Sequence, residues 1–532
     1  MSNSSFSDPM RKPLPIILIR GFGSLGVEDE KRIAYQGFNE GTVYPQKRGE
    51  NYIYEGLILR FLKSSWRYQD ATNVVTYHSD PMQTEPDIPR ELSDIDKSFF
   101  SGDKVIIDPA MALHMLQTND DPCRTLWVFR YYDLDDRKFE VYGKALVRLI
   151  DFVREIAAKK SGSRPKVNII AHSMGGLLVR EAVQVTYPLV NRKADEFINK
   201  IVTLGTPHQG ISFQFLKKWI ILDASQELEH FNPDFQKDEN EPAAFANFKN
   251  EFPLDRLLTV VGTNYRTYDV GIASRLNRLF SVLGEFGTNY NRSDGLVKQT
   301  YAQIPGAPRT FVHKCHGGFD SLVTARESFE VATRFFFGNV RARLRLVSAK
   351  ITRGKDHFGK SEFFFGVSIK PRRVDFELFH QSKQAENCYG PFRQDDLGDQ
   401  EIAFPWAGEN RLVWEGYLDT SSILEDKSIT EKDMVLRLDI YVGERDLFGI
   451  GFSDNVIFHK QYYVRVFLQA PIALYFYPDE LFAAKGVQPQ PDDKMREANG
   501  GWEFDVKGTG FKGVFRVEFD NVPEIGQPVP FG

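Results

Sequence analysis

Apolar runs and helix-like apolar spacings alternate along the first part of the chain. The runs at residues 14–19, 126–131, 167–170 and 197–204 are apolar enough for strands buried inside a sheet. Residues 139–159 instead carry apolar side chains at helical spacing, which predicts an amphipathic helix. Strands that alternate with helices favour a parallel sheet covered by helices on both faces.

The alternation continues to about residue 337, with strands predicted over 257–262 and 310–312 and a closing helix over 320–337. Two stretches, residues 24–120 and about 211–292, depart from it, and we interpret them as insertions. In the second, residues 272–283 predict a helix with leucines and an isoleucine on one side. Such a helix suits a lid over a site, and it equally suits a surface helix that faces the core.

The pattern changes near residue 340. Short runs of alternating apolar and polar residues, separated by turns, predict strands over 344–351, 362–369 and 513–519 among others. We therefore expect two domains: residues 1–338 with the mostly parallel sheet, and residues 339–532 with an antiparallel β-sandwich.

Composition places the chain among globular proteins, with 42% hydrophobic and 26% charged residues. The net charge of −5 argues against a general nucleic-acid binder. The three cysteines, Cys123, Cys315 and Cys388, are too few and too scattered for a disulfide framework or a thiolate metal site.

Targeting signals are not evident in the sequence. Residues 1–12 are polar and rich in serine, without the apolar core of a secretory signal. No apolar run approaches the length of about 18 residues that a membrane span needs. A cytoplasmic location is the default expectation, and export by a route that needs no such signal stays open.

The strongest chemical signal is the pentapeptide Ala171-His172-Ser173-Met174-Gly175, which lies between a predicted strand and a predicted helix. A serine on such a sharp turn has its hydroxyl directed into a pocket. This is the pattern of a nucleophile elbow, with alanine in place of the usual first glycine. The alternative is an ordinary strand–helix turn with an exposed serine.

A nucleophilic serine needs a base, and the base needs an orienting carboxylate. Asp294, in a turn beyond the strand at 257–262, is the best candidate for the acid, and Asp269 is the alternative. His316, which two glycines follow, is the best candidate for the base, and His313 is the alternative. We interpret the other two nearby histidines, His172 and His208, as structural or pocket-lining.

An oxyanion hole needs two convergent N–H donors. The backbone N–H of Met174, directly after the serine, is the expected first donor. The second should come from the loop after the first strand, at Phe22 within Arg20-Gly21-Phe22-Gly23. The glycines on either side of Phe22 would allow this loop to approach a substrate closely.

These motifs resemble the lipase and esterase branch of the α/β-hydrolase superfamily, over about residues 14–337. Gly205-Thr206-Pro207-His208 is similar to a segment common in bacterial lipases, whereas Arg20 stands where the family usually has histidine. The resemblance implies an α/β-hydrolase fold and a Ser173–His316–Asp294 mechanism through an acyl-enzyme. It also implies lid or cap insertions, and it requires no cofactor.

The second domain carries a weaker resemblance. Residues 356–369 are similar to the first calcium loop and following strand of C2-type membrane-binding sandwiches. The calcium candidates are Asp356, Glu362, Asp446 and Asp454, because calcium favours carboxylate oxygens clustered on loops. Glu362 departs from the aspartate expected there, and Val442 and Gly443 stand where another carboxylate is expected. An unrelated sandwich with solvated carboxylates is the alternative.

Three functions fit these observations. The first is a carboxylic-ester hydrolase that acts on lipid esters, phospholipids among them, with peripheral contact to a lipid surface. The second is an acyltransferase that uses the same three residues. The third is a non-catalytic hydrolase-fold protein whose C-terminal domain binds a partner. The complete set of Ser173, Asp294 and His316, in that order, argues against the third.

Overall fold

The structure is a computed structural model, and its description covers residues 12–21, 55–64, 66–77, 86–102, 104–131, 138–209, 248, 251–264, 293–317, 320–352, 362–372, 388–392, 412–420, 433–445, 455–467, 472–479 and 488–522. Contacts between residues divide the chain into two compact units. One contains residues 12–308 and 314–332, and the other contains residues 309–313 and 333–524.

Among the described residues, the first nine strands are short, and most are fully buried. They are β1 Ile16–Ile19, β2 Gln69–Asp70, β3 Val75–Tyr77, β4 Val105–Ile107, β5 Thr125–Phe129, β6 Val167–His172, β7 Ile198–Leu204, β8 Leu257–Gly262 and β9 Arg309–Val312. Seven of them form one sheet in the order β2-β5-β1-β6-β7-β8-β9, and β3 pairs with β4. Within this sheet, neighbouring strands from β2 through β5, β1, β6 and β7 to β8 pair in parallel. The continuous apolar runs at β1, β5, β6 and β7 predict this arrangement.

Helices connect these strands. They are α1 Glu55–Lys63, α2 Pro109–Thr118, α3 Phe139–Ser161, α4 Met174–Glu181, α5 Tyr187–Leu189 and α6 Arg326–Phe337. A π-helical segment, Ala182–Thr186, joins α4 to α5. Short 3-10 turns occupy Thr72–Val74, Arg90–Leu92, Lys97–Phe100, Ala194–Glu196, Leu254–Arg256 and Pro491–Asp493. None of the helices in the described stretches is long and apolar enough to cross a membrane.

Helix α3, the longest of the described helices, packs closely against the segment that follows the serine turn. Apolar residues at helical spacing bury one side of α3, and Gly162 ends it with a φ of 72°. A Cβ atom on Gly143 of α3 would lie 2.5 Å from Oγ1 of Thr186, in the π-helical segment that follows α4. The glycine therefore permits a helix crossing that a larger residue would prevent.

The stretch 24–120, which we interpret as an insertion, also contributes to the main sheet. It contains α1, α2 and the β3–β4 pair, and its strand β2 extends the sheet at one edge. Gln69 lies opposite Thr125 and Asp70 opposite Leu126, both in parallel register. The described part of this stretch therefore adds one strand, β2, to the main sheet.

The second unit is built from antiparallel strands, as the sequence predicts. They are β10 Val340–Ile351, β11 Glu362–Arg372, β12 Cys388–Phe392, β13 Leu412–Leu418, β14 Asp433–Arg445, β15 Asn455–Phe467, β16 Ala473–Tyr477, β17 Arg496–Ala498, β18 Gly501–Gly508 and β19 Phe511–Asn521. In the described part of this unit they form two five-stranded sheets, ordered β13-β10-β19-β18-β17 and β12-β11-β14-β15-β16.

Aromatic side chains join the two sheets into a sandwich. Phe511, on β19, has its ring centroid 5.9 Å from that of Phe365 and 5.1 Å from that of Phe458, both on the other sheet. Phe504 and Phe476 stack across the same interface at 4.7 Å. Because Phe511 is fully buried, it contributes strongly to this core.

We expect Phe511→Ala to destabilise the second unit by about 3–5 kcal/mol, because the substitution leaves a cavity among large rings. Chemical denaturation of the full chain, monitored by its tryptophan fluorescence, would measure the change in the free energy of unfolding. The neighbouring Lys512 is exposed, and Lys512→Ala should change the free energy of unfolding by less than about 0.5 kcal/mol. Equal effects of the two variants would contradict the assignment of Phe511 to the sandwich core.

Candidate active site

The turn between strand β6 and helix α4 carries Ser173, with His172 before it and Met174 after it. The serine has a φ of 52° and a ψ of −126°, a region that residues with a side chain rarely enter. Its N–H donates a hydrogen bond to the carbonyl oxygen of Leu204, at 2.9 Å. This bond ties the strained turn to the end of strand β7.

Two glycines at the start of α4 let the helix pack closely behind the serine. A Cβ atom on Gly175 would lie 2.5 Å from the carbonyl oxygen of Arg20, and one on Gly176 would lie 2.1 Å from Oγ1 of Thr206. Both separations are shorter than real contacts allow. A larger residue at either position would therefore move α4 away from the strand ends.

Three side chains from three separate loops form a hydrogen-bonded chain. Oγ of Ser173 lies 2.9 Å from Nε2 of His316, and Nδ1 of His316 lies 2.8 Å from Oδ2 of Asp294. His316 and Asp294 are buried, with exposed fractions of 3% and 1%. Because a carboxylate only accepts hydrogen bonds, Nδ1 of a neutral His316 carries the proton and Nε2 accepts from the serine hydroxyl.

The carboxylate of Asp294 is held at both oxygens. Its Oδ1 accepts hydrogen bonds from the backbone N–H of Leu296 at 3.0 Å and of Val297 at 2.7 Å. Its Oδ2 faces His316. The tight turn that begins at Asp294 therefore fixes the orientation of the carboxylate before any substrate binds.

Two more glycines make room for the pair of Asp294 and His316. A Cβ atom on Gly205 would lie 2.8 Å from Oδ2 of Asp294, and one on Gly262 would lie 2.5 Å from Cβ of the same residue. Gly205 also has a φ of 57°, which favours glycine. Sequence reasoning misses this packing role, although a glycine at the carboxyl end of a buried strand signals close approach.

His172 is hydrogen-bonded to the main chain of His316. Its Nε2 lies 2.8 Å from the carbonyl oxygen of His316, and the two ring centroids are 4.9 Å apart. A carbonyl only accepts, so Nε2 of His172 carries the proton. Burial, with a smaller effect of the nearby His316, lowers the pKa of His172 well below its ordinary value. The imidazole of His172 is therefore neutral near pH 7.

His208 and Arg180 join the segment after β7 to helix α4. Nε2 of His208 lies 2.9 Å from Oγ1 of Thr203, and Nη1 of Arg180 donates to the carbonyl oxygen of His208. Burial lowers the pKa of Arg180 to about 9. Burial, and then the Arg180 charge, keeps the pKa of His208 well below its ordinary value. Neither side chain bonds Ser173 or Asp294 among the contacts described.

The remaining residues that the sequence predicts for the site differ in where the structure places them. Met174 is the first residue of α4, so its backbone N–H lies at a helix N-terminus beside Ser173. His313 directly follows β9, and the imidazole that reaches Ser173 is that of His316. Several predictions lie outside the described residues: Phe22, Asp269, the helix at 272–283, Asp356, Asp446 and Asp454.

Calcium binding stays a prediction. Glu362, the remaining calcium candidate, is the first residue of strand β11, opposite Arg445 in the antiparallel register. Across the described ranges, no group of three or more His, Cys, Asp or Glu side chains could hold a metal ion.

Comparisons with known proteins agree with this architecture. The family described as PGAP1-like alpha/beta domain matches residues 110–260, which include Ser173. The chain has an α/β-hydrolase fold. It resembles the lipase and esterase branch of that superfamily, as its motifs predict. No curated protein matches the chain at a significant level.

Similar solved structures include a lipase and a phospholipase. The mature lipase from Bacillus licheniformis is 16% identical, and the match covers 62% of this chain and 96% of that one, with a TM-score of 0.31. Phospholipase PlaB from Legionella pneumophila is 10% identical, and the match covers 91% of this chain and 100% of that one, with a TM-score of 0.30.

The lowered pKa values of the buried His172 and His208 predict a loss of stability in mild acid. In the folded chain the pKa values of His172 and His208 are lowered, whereas an unfolded chain protonates histidine near pH 6.5, roughly. Below that pH the unfolded state binds protons that the folded state does not. The free energy of unfolding should therefore fall as pH decreases, by up to about 1.4 kcal/mol per pH unit for each histidine.

His208→Gln removes one of these titrating groups, and we expect a shallower loss of stability between about pH 7 and pH 5. Denaturant titrations at several pH values would measure the slope. Gln117 is exposed and has no titratable group, so Gln117→Ala should keep the wild-type slope. A His208→Gln slope equal to that of wild type would contradict the expectation.

Proposed function

We propose that the chain is a serine-dependent carboxylic-ester hydrolase that acts on lipid esters. Ser173 is the nucleophile, His316 is the general base and acid, and Asp294 orients His316. The observation that carries the proposal is the hydrogen-bonded chain with separations of 2.9 Å and 2.8 Å. A serine hydroxyl needs such a base within hydrogen-bond reach to become nucleophilic.

In the first half of the reaction, Oγ of Ser173 attacks the carbonyl carbon of the ester and its proton passes to Nε2 of His316. The imidazolium that forms keeps its Nδ1–H bond to Asp294, whose negative charge stabilises it. The tetrahedral intermediate then breaks the bond to the leaving alkoxide. His316 returns the proton to that oxygen, the alcohol departs, and an acyl-serine remains.

In the second half, water attacks the acyl carbon and gives a proton to Nε2 of His316. The second tetrahedral intermediate breaks its bond to Oγ of Ser173, which recovers the proton from His316. One water is consumed, and one alcohol and one carboxylic acid are released. The enzyme returns to its starting protonation state.

Each tetrahedral intermediate carries a negative oxygen that needs donors. The backbone N–H of Met174 lies at the N-terminus of α4, where the helix dipole also favours negative charge. For the second donor we propose the backbone N–H of Phe22. Its neighbour Gly21 supports this placement, because a Cβ atom there would lie 2.7 Å from Cβ of Ser173. The loop after β1 thus begins directly beside the serine.

The choice of lipid esters as substrates is supported by motifs that resemble those of lipases. The elbow opens with Ala171, as in some bacterial lipases, and Gly205-Thr206-Pro207-His208 follows the next strand. Thr206 of this segment packs against Gly176 behind the serine. The lipase-like segment therefore belongs to the same packed unit as the proposed nucleophile.

Ser173→Ala should lower the turnover of a short-chain chromogenic ester by about 10⁵-fold or more, because no other group replaces the nucleophile. The control is Ser161→Ala, at the exposed C-terminal end of α3, which should keep wild-type turnover. Turnover that survives Ser173→Ala would contradict the proposed nucleophile. A series of acyl chain lengths and phospholipids, tested with the same three proteins, would define the substrate class.

Asp294→Asn should lower kcat by roughly 10³–10⁴-fold with little change in KM, because an amide can donate to Nδ1 and favour the wrong tautomer of His316. Steady-state kinetics on the same ester would measure both constants. Asp255 is exposed in a 3-10 turn, and Asp255→Asn serves as the matched control. An Asp294→Asn variant with wild-type kcat would exclude Asp294 as the orienting acid.

A further inference from the structure

His172 contacts three of the segments that meet at the proposed active site. It ends strand β6, directly before Ser173. Its Nε2–H donates to the carbonyl oxygen of His316 at 2.8 Å. A Cβ atom on Gly21, in the loop after β1, would lie 3.1 Å from its Nδ1. His172 therefore lies between the serine turn, the first loop and the loop that carries the base.

The main chain of His316 is held on both sides. Its N–H donates to the carbonyl oxygen of Asp294 at 2.8 Å, and its carbonyl oxygen accepts from His172 at 2.8 Å. The first bond sets the position of the base relative to the acid. The second sets it relative to the serine, because residues 172 and 173 are adjacent on the same strained turn.

We infer that His172 is a positioning residue for the proposed reaction. Through the bond from its Nε2–H to the carbonyl oxygen of His316, it sets the separation between Oγ of Ser173 and Nε2 of His316. The kinetic consequence rests on the proposed function, whereas the contact itself does not. A misplacement of about 1 Å at such a site costs about 100-fold in rate.

The charge state of His172 suits this task. During the proposed reaction His316 becomes positively charged, and a second positive charge 4.9 Å from it, between ring centroids, would oppose that step. Arg20 also lies close enough to disfavour the charged form of His172, in addition to burial and His316. A neutral His172 donates its hydrogen bond without this repulsion.

Two variants separate the hydrogen bond from the ring. His172→Phe keeps an aromatic ring and removes the donor. His172→Gln removes the ring and keeps an amide N–H, which is separated from Cβ by the same number of bonds as Nε2 of histidine. Thermal unfolding shows whether each variant is folded, and His172→Leu replaces the phenylalanine variant if that one is not.

We expect His172→Phe to lower kcat about 10- to 100-fold while KM changes less than about threefold. His172→Gln should stay within about threefold of wild type, because it rescues the hydrogen bond. A residue with only a structural role would give equal losses in the two variants. Equal losses, a loss confined to KM, or wild-type kcat in His172→Phe would overturn the inference.

Hydrogen–deuterium exchange tests the contact without any need for activity. The amide of His316, which is bonded to Asp294, should exchange faster in His172→Phe than in wild type and His172→Gln. Unchanged exchange in His172→Phe would overturn the inference. Failure of wild type to hydrolyse any ester would instead overturn the proposed function, and the exchange result would still decide whether His172 holds His316 in place.

Discussion

The backbone conformation of Ser173 is the constraint on which the rest of the site depends. A non-glycine residue at a φ of 52° and a ψ of −126° stores strain on the order of 1–3 kcal/mol. The strand before it pairs with neighbours on both sides, and the bond from its N–H to Leu204 fixes the turn. The turn is therefore held in place at the carboxyl end of β6. The hydroxyl of Ser173, the N–H of Met174 and the start of α4 lie together at this end of the strands.

That edge brings together residues that are distant in the sequence. Parallel strands end on the same side, so the segments after β1, β6, β7 and β8 converge there. These segments pack so closely that Ser173 and Asp294 leave no space for a Cβ atom at Gly21, Gly205 or Gly262. Close packing of backbone against side chain therefore helps to define the positions of Ser173, His316 and Asp294.

Apolar runs in the sequence predict the parallel sheet, and the pattern between a strand and a helix predicts the serine turn. Asp294 and His316 are sequence candidates from turns, and the structure joins them to Ser173 by hydrogen bonds. The bond between His172 and His316 is not predictable in this way, because it depends on how two distant loops meet. Strand β2 is equally hidden, since two exposed polar residues carry no apolar pattern. The roles of Phe22, the helix at 272–283 and the calcium candidates stay predictions.

The proposed reaction requires Ser173 to be an activated nucleophile rather than an ordinary turn serine. Reaction of the full chain with a fluorophosphonate, followed by digestion and mass spectrometry of the peptides, tests this requirement. An activated serine reacts with such a probe, whereas unactivated hydroxyls do not. We expect a single phosphonylated residue, Ser173. Modification of a different serine, or no modification of the folded protein, would exclude Ser173 as the activated nucleophile.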